Sequence, residues 1–298
     1  TFVAWKIFDP AGSHAASSAL AVLVIACPCA MGLAVPAAIV TAVGRGASLG
    51  MLIKSAETME KLRSVDMVVF DKTGTLTEGK PVVVATTLSS ADLRLVASAE
   101  QRSEHPVGRA LVAYARQHGL TLVEPQSFEA MPGQGIRATV DAHQVLVNRE
   151  GAFVNGRPAG TFEVSDPPRS NSFEAIAMLS HARIRVALLT GDRKSNADAT
   201  ASALGIQDVF AEMTPEGKLA EIERLQKAGH AVAMVGDGIN DAPALARANV
   251  GIAMGGGSGI AIEAGDVTLL RADPRIVAEA IVLARRTWRI VMQNFVWA

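Results

Sequence analysis

Hydrophobic positions fall into two regimes along this 298-residue chain. In the first, short apolar runs recur at 67–70, 185–190, 231–235, 250–254 and 267–270, bounded by Gly, Asp or Thr. Runs of that length with turn residues at their ends predict strands buried on both faces. Between them the apolar spacing is helical, at 172–181, 195–204, 215–228 and 242–248. Strands alternating with helices predict a doubly wound parallel sheet. From about 83 to 164 the alternation breaks. Two helical stretches (92–100 and 106–118) precede short alternating runs (136–140 and 144–147), the pattern of an α+β unit inserted into the first.

The second regime lies at the two ends. No charged residue occurs between 15 and 44, a run about long enough to span a bilayer. Arg45, Lys54, Lys61 and Arg63 follow it, which predicts a cytoplasmic location for that end. Residues 1–8 read as the tail of an earlier membrane helix, joined by a short external loop at 9–14. The stretch 276–298 is helical in pattern, first amphipathic and then apolar. Arg285, Arg286 and Arg289 are expected at the cytoplasmic face, with Trp288 in the interfacial belt. The expected division is membrane segments over 1–44, a first body from 45–82 and 165–272, an insert over 83–164, and the start of a further membrane helix over 273–298. With no Met and no charged leader at Thr1, the chain reads as a piece of a longer protein.

Composition supports the membrane reading and narrows the partners. Hydrophobic residues make up 49% against 19% charged, which is apolar for a purely soluble protein. The net charge of -1 gives no basic footprint, so no nucleic-acid partner is expected. The two cysteines stand together in Cys27-Pro28-Cys29 and suggest no disulfide framework.

The chemistry concentrates where the apolar runs end. Asp71-Lys72-Thr73-Gly74-Thr75-Leu76-Thr77 follows the run 65–70. A carboxylate at that point sits on the ligand-binding edge of an open α/β sheet and can act as a nucleophile toward a phosphoryl group. Thr190-Gly191-Asp192 ends another run, offering a hydroxyl and a backbone N–H. The segment Gly236-Asp237-Gly238-Ile239-Asn240-Asp241 ends a third with two carboxylates. Carboxylates beside a phosphoryl group commonly hold Mg²⁺, and Lys218 can bring positive charge to the transferring oxygens.

The heptad at Asp71 resembles the phosphorylation motif of the P-type ATPases, and the later loops match that family in order. The resemblance implies a haloacid-dehalogenase-like α/β fold: a doubly wound parallel sheet as phosphorylation domain, an inserted α+β nucleotide-binding domain, and flanking transmembrane helix segments. It implies that Asp71 is phosphorylated from ATP. Mg²⁺ would be held by Asp71, the Thr73 carbonyl and Asp237, with Asp241 in support. Thr190, Gly191, Lys218 and Asn240 match phosphate-contacting positions, and Asp166-Pro167-Pro168-Arg169 resembles the segment that re-enters the phosphorylation domain. A soluble phosphatase of the same fold is the rival reading. Such enzymes carry an acid two residues after the nucleophile, and Thr73 stands there instead, unable to do general acid–base work. No Thr-Gly-Glu motif occurs, so the family's water-activating actuator domain is expected elsewhere in the full-length protein, with further membrane helices.

Ser103-Glu104-His105-Pro106 and Met131-Pro132-Gly133-Gln134-Gly135 resemble the nucleotide-binding domain of the heavy-metal members. Glu104, His105, Gly133, Gly135 and Asn148 are the expected nucleotide contacts, although Val147-Asn148 stands where the family has Gly-Asn. Cys27 and Cys29 flank a proline that distorts a helix, and thiolates select soft ions such as Cu(I) while also binding Zn²⁺. Cys-Pro-Cys-Ala-Met-Gly-Leu-Ala-Val-Pro resembles the copper-class pumps. The expectation is a multi-pass membrane pump with cytoplasmic domains that exports Cu(I). A Zn(II)/Cd(II) pump and a membrane metal-binding protein without turnover are the alternatives.

Overall fold

The computed structural model describes residues 3–4, 7, 15–25, 29–131 and 133–297. Its central strand is β2 (Met67–Asp71), buried at every position. Val68 and Phe70 point to one face and Met67 and Val69 to the other, as the two-residue period of a strand requires. The strand lies between β10 (Arg185–Leu189) and β12 (Val232–Gly236), parallel to both, with Phe70 level with Leu188 and Val235. Beyond them lie β11 (Asp208–Phe210) on one side, and β13 (Val250–Ala253) and β14 (Val267–Leu269) on the other. The last neighbour, β1 (Met51–Ile53), pairs antiparallel with β14.

Chain order reverses at β2. The chain first builds β10 and β11 on one side, then returns to lay down β12, β13 and β14 on the other. The carboxyl end of β2 is therefore the topological switch point, where an open α/β sheet leaves a crevice. Helices Ala56–Ser64, Ser172–His181, Lys194–Leu204 and Arg275–Trp297 cover the Phe70 face. Pro215–Lys227 and Ala242–Arg247 cover the Met67 face.

The insert leaves and returns through an antiparallel pair, β3 (Val82–Thr86) and β9 (Phe162–Ser165). Between them come helices Ser90–Ala99 and Pro106–Gln117. An antiparallel meander follows: β4 (Ser127–Met131), β5 (Gly135–Val140), β6 (His143–Asn148), β7 (Gly151–Val154) and β8 (Arg157–Gly160). Its core is separate, built on Val96, Leu111, Val140 and Val145. Two-residue turns close two of the hairpins, with Asp141, Ala142, Asn155 and Gly156 at positive φ as such turns need.

The ends differ from expectation. Among the described residues no helix is long and apolar enough to cross a membrane. The uncharged run is described as two helices, Ala15–Ile25 and Cys29–Leu49. The second helix is diluted by Gly32, Thr41, Gly44, Arg45, Gly46 and Ser48. The terminal helix Arg275–Trp297 is amphipathic and packs along it, burying Ile276, Val277, Ile281 and Val291. Cys27 and Pro28 lie outside the described residues, as do the side chain of Cys29, Pro132 and the expected tail and loop over most of 1–14.

Phe70 fills the core one residue before Asp71 and is fully buried. Phe70→Ala is expected to lower unfolding free energy by about 3–5 kcal/mol, read from the midpoint of urea denaturation. A shift below about 1 kcal/mol would mean that the cavity collapses without strain on β2.

Candidate active site

Asp71 is the last residue of β2, and its carboxylate stays buried because the loop after it folds back over the sheet edge. Residues 72–76 form one wide turn, closed by the Thr77 N–H donating to the Lys72 carbonyl at 3.1 Å. Gly74 makes the turn possible, with φ of +72°. A Cβ at Gly74 would also overlap the Asp237 carboxylate, so this glycine lets the loop approach the next strand end.

Lys218 is delivered from the opposite side. Pro215 opens its helix and the Thr214 hydroxyl caps it, accepting the Gly217 N–H at 3.1 Å. That puts Lys218 in the first turn, where its Nζ donates to Asp71 Oδ1 and, at 2.7 Å, to Asp241 Oδ1. Asp241 is itself fixed by accepting the Gly238 N–H at 3.2 Å. All three groups are under a tenth exposed. Asp71, Asp237 and Asp241 bring carboxylate oxygens within 4.8 Å of one another.

Burial foremost, and then the charge of Asp241, pushes Asp71 up to about 7, against the pull of Lys218. Asp237 is raised as well, by burial and then by Asp241. For Lys218 burial opposes the charge, but Asp71 and Asp241 outweigh it and hold its pKa above the ordinary value. Three carboxylates and one ammonium leave the cluster with excess negative charge. The ligand atoms it offers are carboxylate oxygens, which suits a hard divalent cation. The Thr75 hydroxyl, within this loop, is buried with no hydrogen-bond partner among the described residues.

The expected partners are placed as follows. Thr190 is buried, its hydroxyl accepting the Asp192 N–H at 3.1 Å. Gly191 lies against the Met213 carbonyl, where a Cβ would approach to 3.2 Å. Thr73 is extended and exposed, and Asn240 is exposed in the short helix Ile239–Asp241. Lys72, Asp192 and Arg169 bear more of the geometry than their place in the sequence suggested. Lys72 is buried in an ion pair with Asp192, joining the ends of β2 and β10. Arg169 donates to the Gly74 and Thr75 carbonyls at 2.8 and 3.2 Å and so backs the loop. Asp166 accepts from the Gly79 and Lys80 N–H groups and the Thr77 hydroxyl.

A second cavity, of about 880 Å³, opens in the insert. Glu104, His105, Gly133, Gly135 and Asn148 all line it, and none of the Asp71 cluster does. His105 caps its helix through Nδ1, which accepts the Val107 N–H at 3.2 Å. In the neutral ring the proton is then on Nε2. Gly135, at φ of +108°, lies so close to the Val147 carbonyl that no side chain fits. The Asn148 side-chain oxygen is spent on its own turn, accepting the Glu150 and Gly151 N–H groups. Glu100 is the lining residue that sequence reading missed. It is 5% exposed and lines the same cavity. Burial raises its pKa, against a hydrogen bond from Ser103. Its signal was faint because a lone Glu ending a helical pattern looks like an ordinary solvated residue.

A family model described as "Hydrolase: haloacid dehalogenase-like hydrolase" matches residues 65–249. The solved catalytic domain of the CPx-ATPase CopB-B shares 33% identity and a TM-score of 0.76, over 80% of this chain and 98% of that one. The chain belongs to the P-type ATPases, within the haloacid dehalogenase-like fold. A solved zinc-transporting PIB-type ATPase gives a TM-score of 0.82 at 33% identity, over 99% of this chain and 53% of that one. "Copper-transporting ATPase 2" of Rhizobium meliloti (strain 1021) is 43% identical over 333 residues, and "Copper-exporting P-type ATPase" of Staphylococcus aureus (strain MW2) 41% over 329. All of this chain aligns in both cases, and it spans 40% and 41% of their lengths.

The raised pKa of Asp71 makes a signed prediction. Its folded value of about 7 exceeds the unfolded 3.8, so the folded protein binds the extra proton between those limits. In the metal-free protein this group's contribution to stability is fullest below about pH 4 and is lost as pH rises through about 7. A cation must displace that proton, so Mg²⁺ should bind about tenfold more weakly at pH 6 than at pH 8. Titration calorimetry at both pH values reads this, and Asp71→Asn should remove the difference. Equal Mg²⁺ affinity at the two pH values in the unsubstituted protein would contradict the assignment.

Proposed function

We propose that this chain is the catalytic core of an ATP-driven heavy-metal pump that passes through an aspartyl-phosphate at Asp71. The observation that carries this reading is the buried cluster of Asp71, Lys218, Asp237 and Asp241 at the switch point of the sheet. Residues 45–82 and 165–272 act as the phosphorylation domain and 83–164 as the nucleotide-binding domain. ATP lies in the insert's cavity, its base toward Glu100, His105 and Glu104. A buried carboxyl with no cationic partner among the described residues suits the exocyclic amine of adenine. Gly133 and Gly135 let backbone approach the nucleotide, and Asn148 shapes the turn beside it.

The nucleotide cavity and Asp71 are separate, so the insert must swing about the β3–β9 connection to present the γ-phosphate. An Asp71 carboxylate oxygen then forms a bond to the γ-phosphorus as the bond to the β–γ bridging oxygen breaks, and ADP leaves. Lys218, Thr190, the Gly191 N–H and Asn240 stabilise the transferring oxygens. Asp71, Asp237 and the Thr73 carbonyl, with Asp241 behind them, would hold Mg²⁺, which would neutralise charge on the phosphates. With Thr73 where a phosphatase carries its acid, the acyl phosphate outlives the step that makes it.

Cu(I) export through Cys27 and Cys29 is the favoured transport reading, supported by the Cys-Pro-Cys-Ala-Met-Gly-Leu-Ala-Val-Pro segment and by copper-named relatives at 41–43% identity. The zinc-transporting structural neighbours, at 33–35% identity, keep Zn(II) as the second reading. The pump sits in a membrane with these domains on the cytoplasmic side, completed by an actuator domain and further helices of the full-length protein.

Labelled ATP with Mg²⁺ should give an acid-stable, hydroxylamine-labile phosphoprotein, lost completely in Asp71→Asn. Lys218→Met should slow its formation by about 10²-fold or more. Label retained in Asp71→Asn would remove that residue from the mechanism. Metal dependence in the full-length protein separates the ions: stimulation by Zn²⁺ alone would replace Cu(I). A further expectation concerns the cavity. Glu100→Ala should weaken ATP binding by about tenfold while phosphorylation at saturating ATP persists, and an unchanged Kd by calorimetry would remove Glu100 from the contact set.

A further inference from the structure

One guanidinium ties the terminal helix to the roots of the two strands that meet at the active site. Arg285 donates from Nη2 to the Val65 carbonyl and from Nη1 to the Ala182 carbonyl, each at 2.8 Å, and from Nε to the Arg63 carbonyl at 3.4 Å. Val65 and Ala182 are the C-terminal caps of helices Ala56–Ser64 and Ser172–His181. Arg285 thus satisfies carbonyls at two helix ends whose partial negative charge suits a cation. Its planar fork makes this possible; an ammonium could not reach three carbonyls in that geometry.

The contact is reciprocal. Arg63, whose carbonyl Arg285 holds, lays its own guanidinium 3.9 Å from the ring centre of Trp288, three residues further along the same terminal helix. Arg63 Nε is buried with no hydrogen-bond partner among the described residues, while Nη2 pairs with Glu60 at 3.5 Å, so the guanidinium is held between the ring face and that carboxylate. Two arginines on facing segments therefore lock each other's helices.

What lies beyond those caps gives the lock its meaning. β2 begins two residues after Val65, and β10 three residues after Ala182. The Arg185 N–H donates to the Asp66 carbonyl at 2.9 Å, joining the two roots. At the far ends, in register, stand Asp71 and Leu189, with Thr190 next in the chain. Five residues of strand span only about 17 Å. On its other side the terminal helix packs along Cys29–Leu49.

We propose that Arg285, with the Arg63–Trp288 contact, is a positioning residue that transmits the state of Asp71 through β2 and β10 to the helix pair Cys29–Leu49 and Arg275–Trp297. This rests on the phosphoryl-transfer reading of Asp71. A phosphoryl group there changes the charge balance around Lys218 and Asp241, displacing the strand ends. The strands carry that displacement to their roots, and the arginine lock passes it to the terminal helix.

Trp288 is the reporter. Replacing Trp5 and Trp297 by Phe leaves it as the single tryptophan of the three. Beryllium fluoride with Mg²⁺ serves as the phosphoryl mimic, its binding followed by calorimetry and confirmed by loss in Asp71→Asn. Trp288 emission should change on binding. In Arg285→Gln the change should fall by at least about fivefold while the mimic still binds. Arg285→Lys, which keeps the charge but fewer bonds, should fall between and decides the matter if the glutamine variant does not fold. An unchanged emission in the unsubstituted protein with the mimic bound would overturn the proposal, as would a full response in the Arg285 variants. Failure of the mimic to bind at all would instead overturn the phosphoryl-transfer reading, and this inference with it.

Discussion

A lysine ammonium buried between two carboxylates is the constraint from which this molecule's other arrangements follow. Lys218 bonds both Asp71 and Asp241 at a point where none is more than a tenth exposed. Charges are costly to bury unless closely paired. The pairing here is incomplete by design of the sequence, since Asp237 adds a third carboxylate to a single ammonium. Burial first, and then that surplus, raises the pKa of Asp71 and Asp237, and the oxygen-rich site is left with a negative charge to neutralise. The surrounding glycines serve the same end. Gly236 lies where a Cβ would meet the Asp241 side chain, and Gly74 where it would meet Asp237. Bulk at either position would push the charges apart.

The parallel sheet was legible because its strands are buried on both faces and so read as unbroken apolar runs with a polar loop at each carboxyl end. Asp71, Lys218 and Asp237 were visible for the same reason: each stands directly at, or one helix away from, such an end. The short edge strands β1 and β11 were not, since three residues carry no periodicity. Nor were β4, β7 and β8, strands of four or five residues in which buried and exposed positions do not alternate cleanly. The expected membrane spans are not seen among the described residues. Absence of charge over 15–44 measured composition, whereas helix Cys29–Leu49 is diluted by glycine and polar residues, and the terminal helix spends its apolar face on the sheet body.

The cavity in the insert shows what single residues hide. His105 looked like a ligand and is also a helix cap. Asn148 looked like a ligand and spends its oxygen on its own turn. Glu100 looked like neither, yet is the most buried carboxylate in that wall. Its burial comes from contacts made by Gly108, which lies on the next helix and where any side chain would overlap the Glu100 carboxylate. No local pattern records a contact between a glutamate and the absence of a side chain eight positions away.

The chain closes two of its excursions in the same manner. β3 and β9, an antiparallel pair, stand at the base of the insert. β1 and β14, the sheet's one antiparallel pair, stand where the chain enters the body from helix Cys29–Leu49 and where it leaves toward helix Arg275–Trp297. The architecture is thus nested: a unit plugged into a unit, each attached by two adjacent strands running in opposite directions. A module held by such a paired stem can tilt as a whole without its two connections crossing or stretching apart. The stem also keeps the incoming and outgoing chain at a fixed separation, so either module can change orientation while its host stays folded.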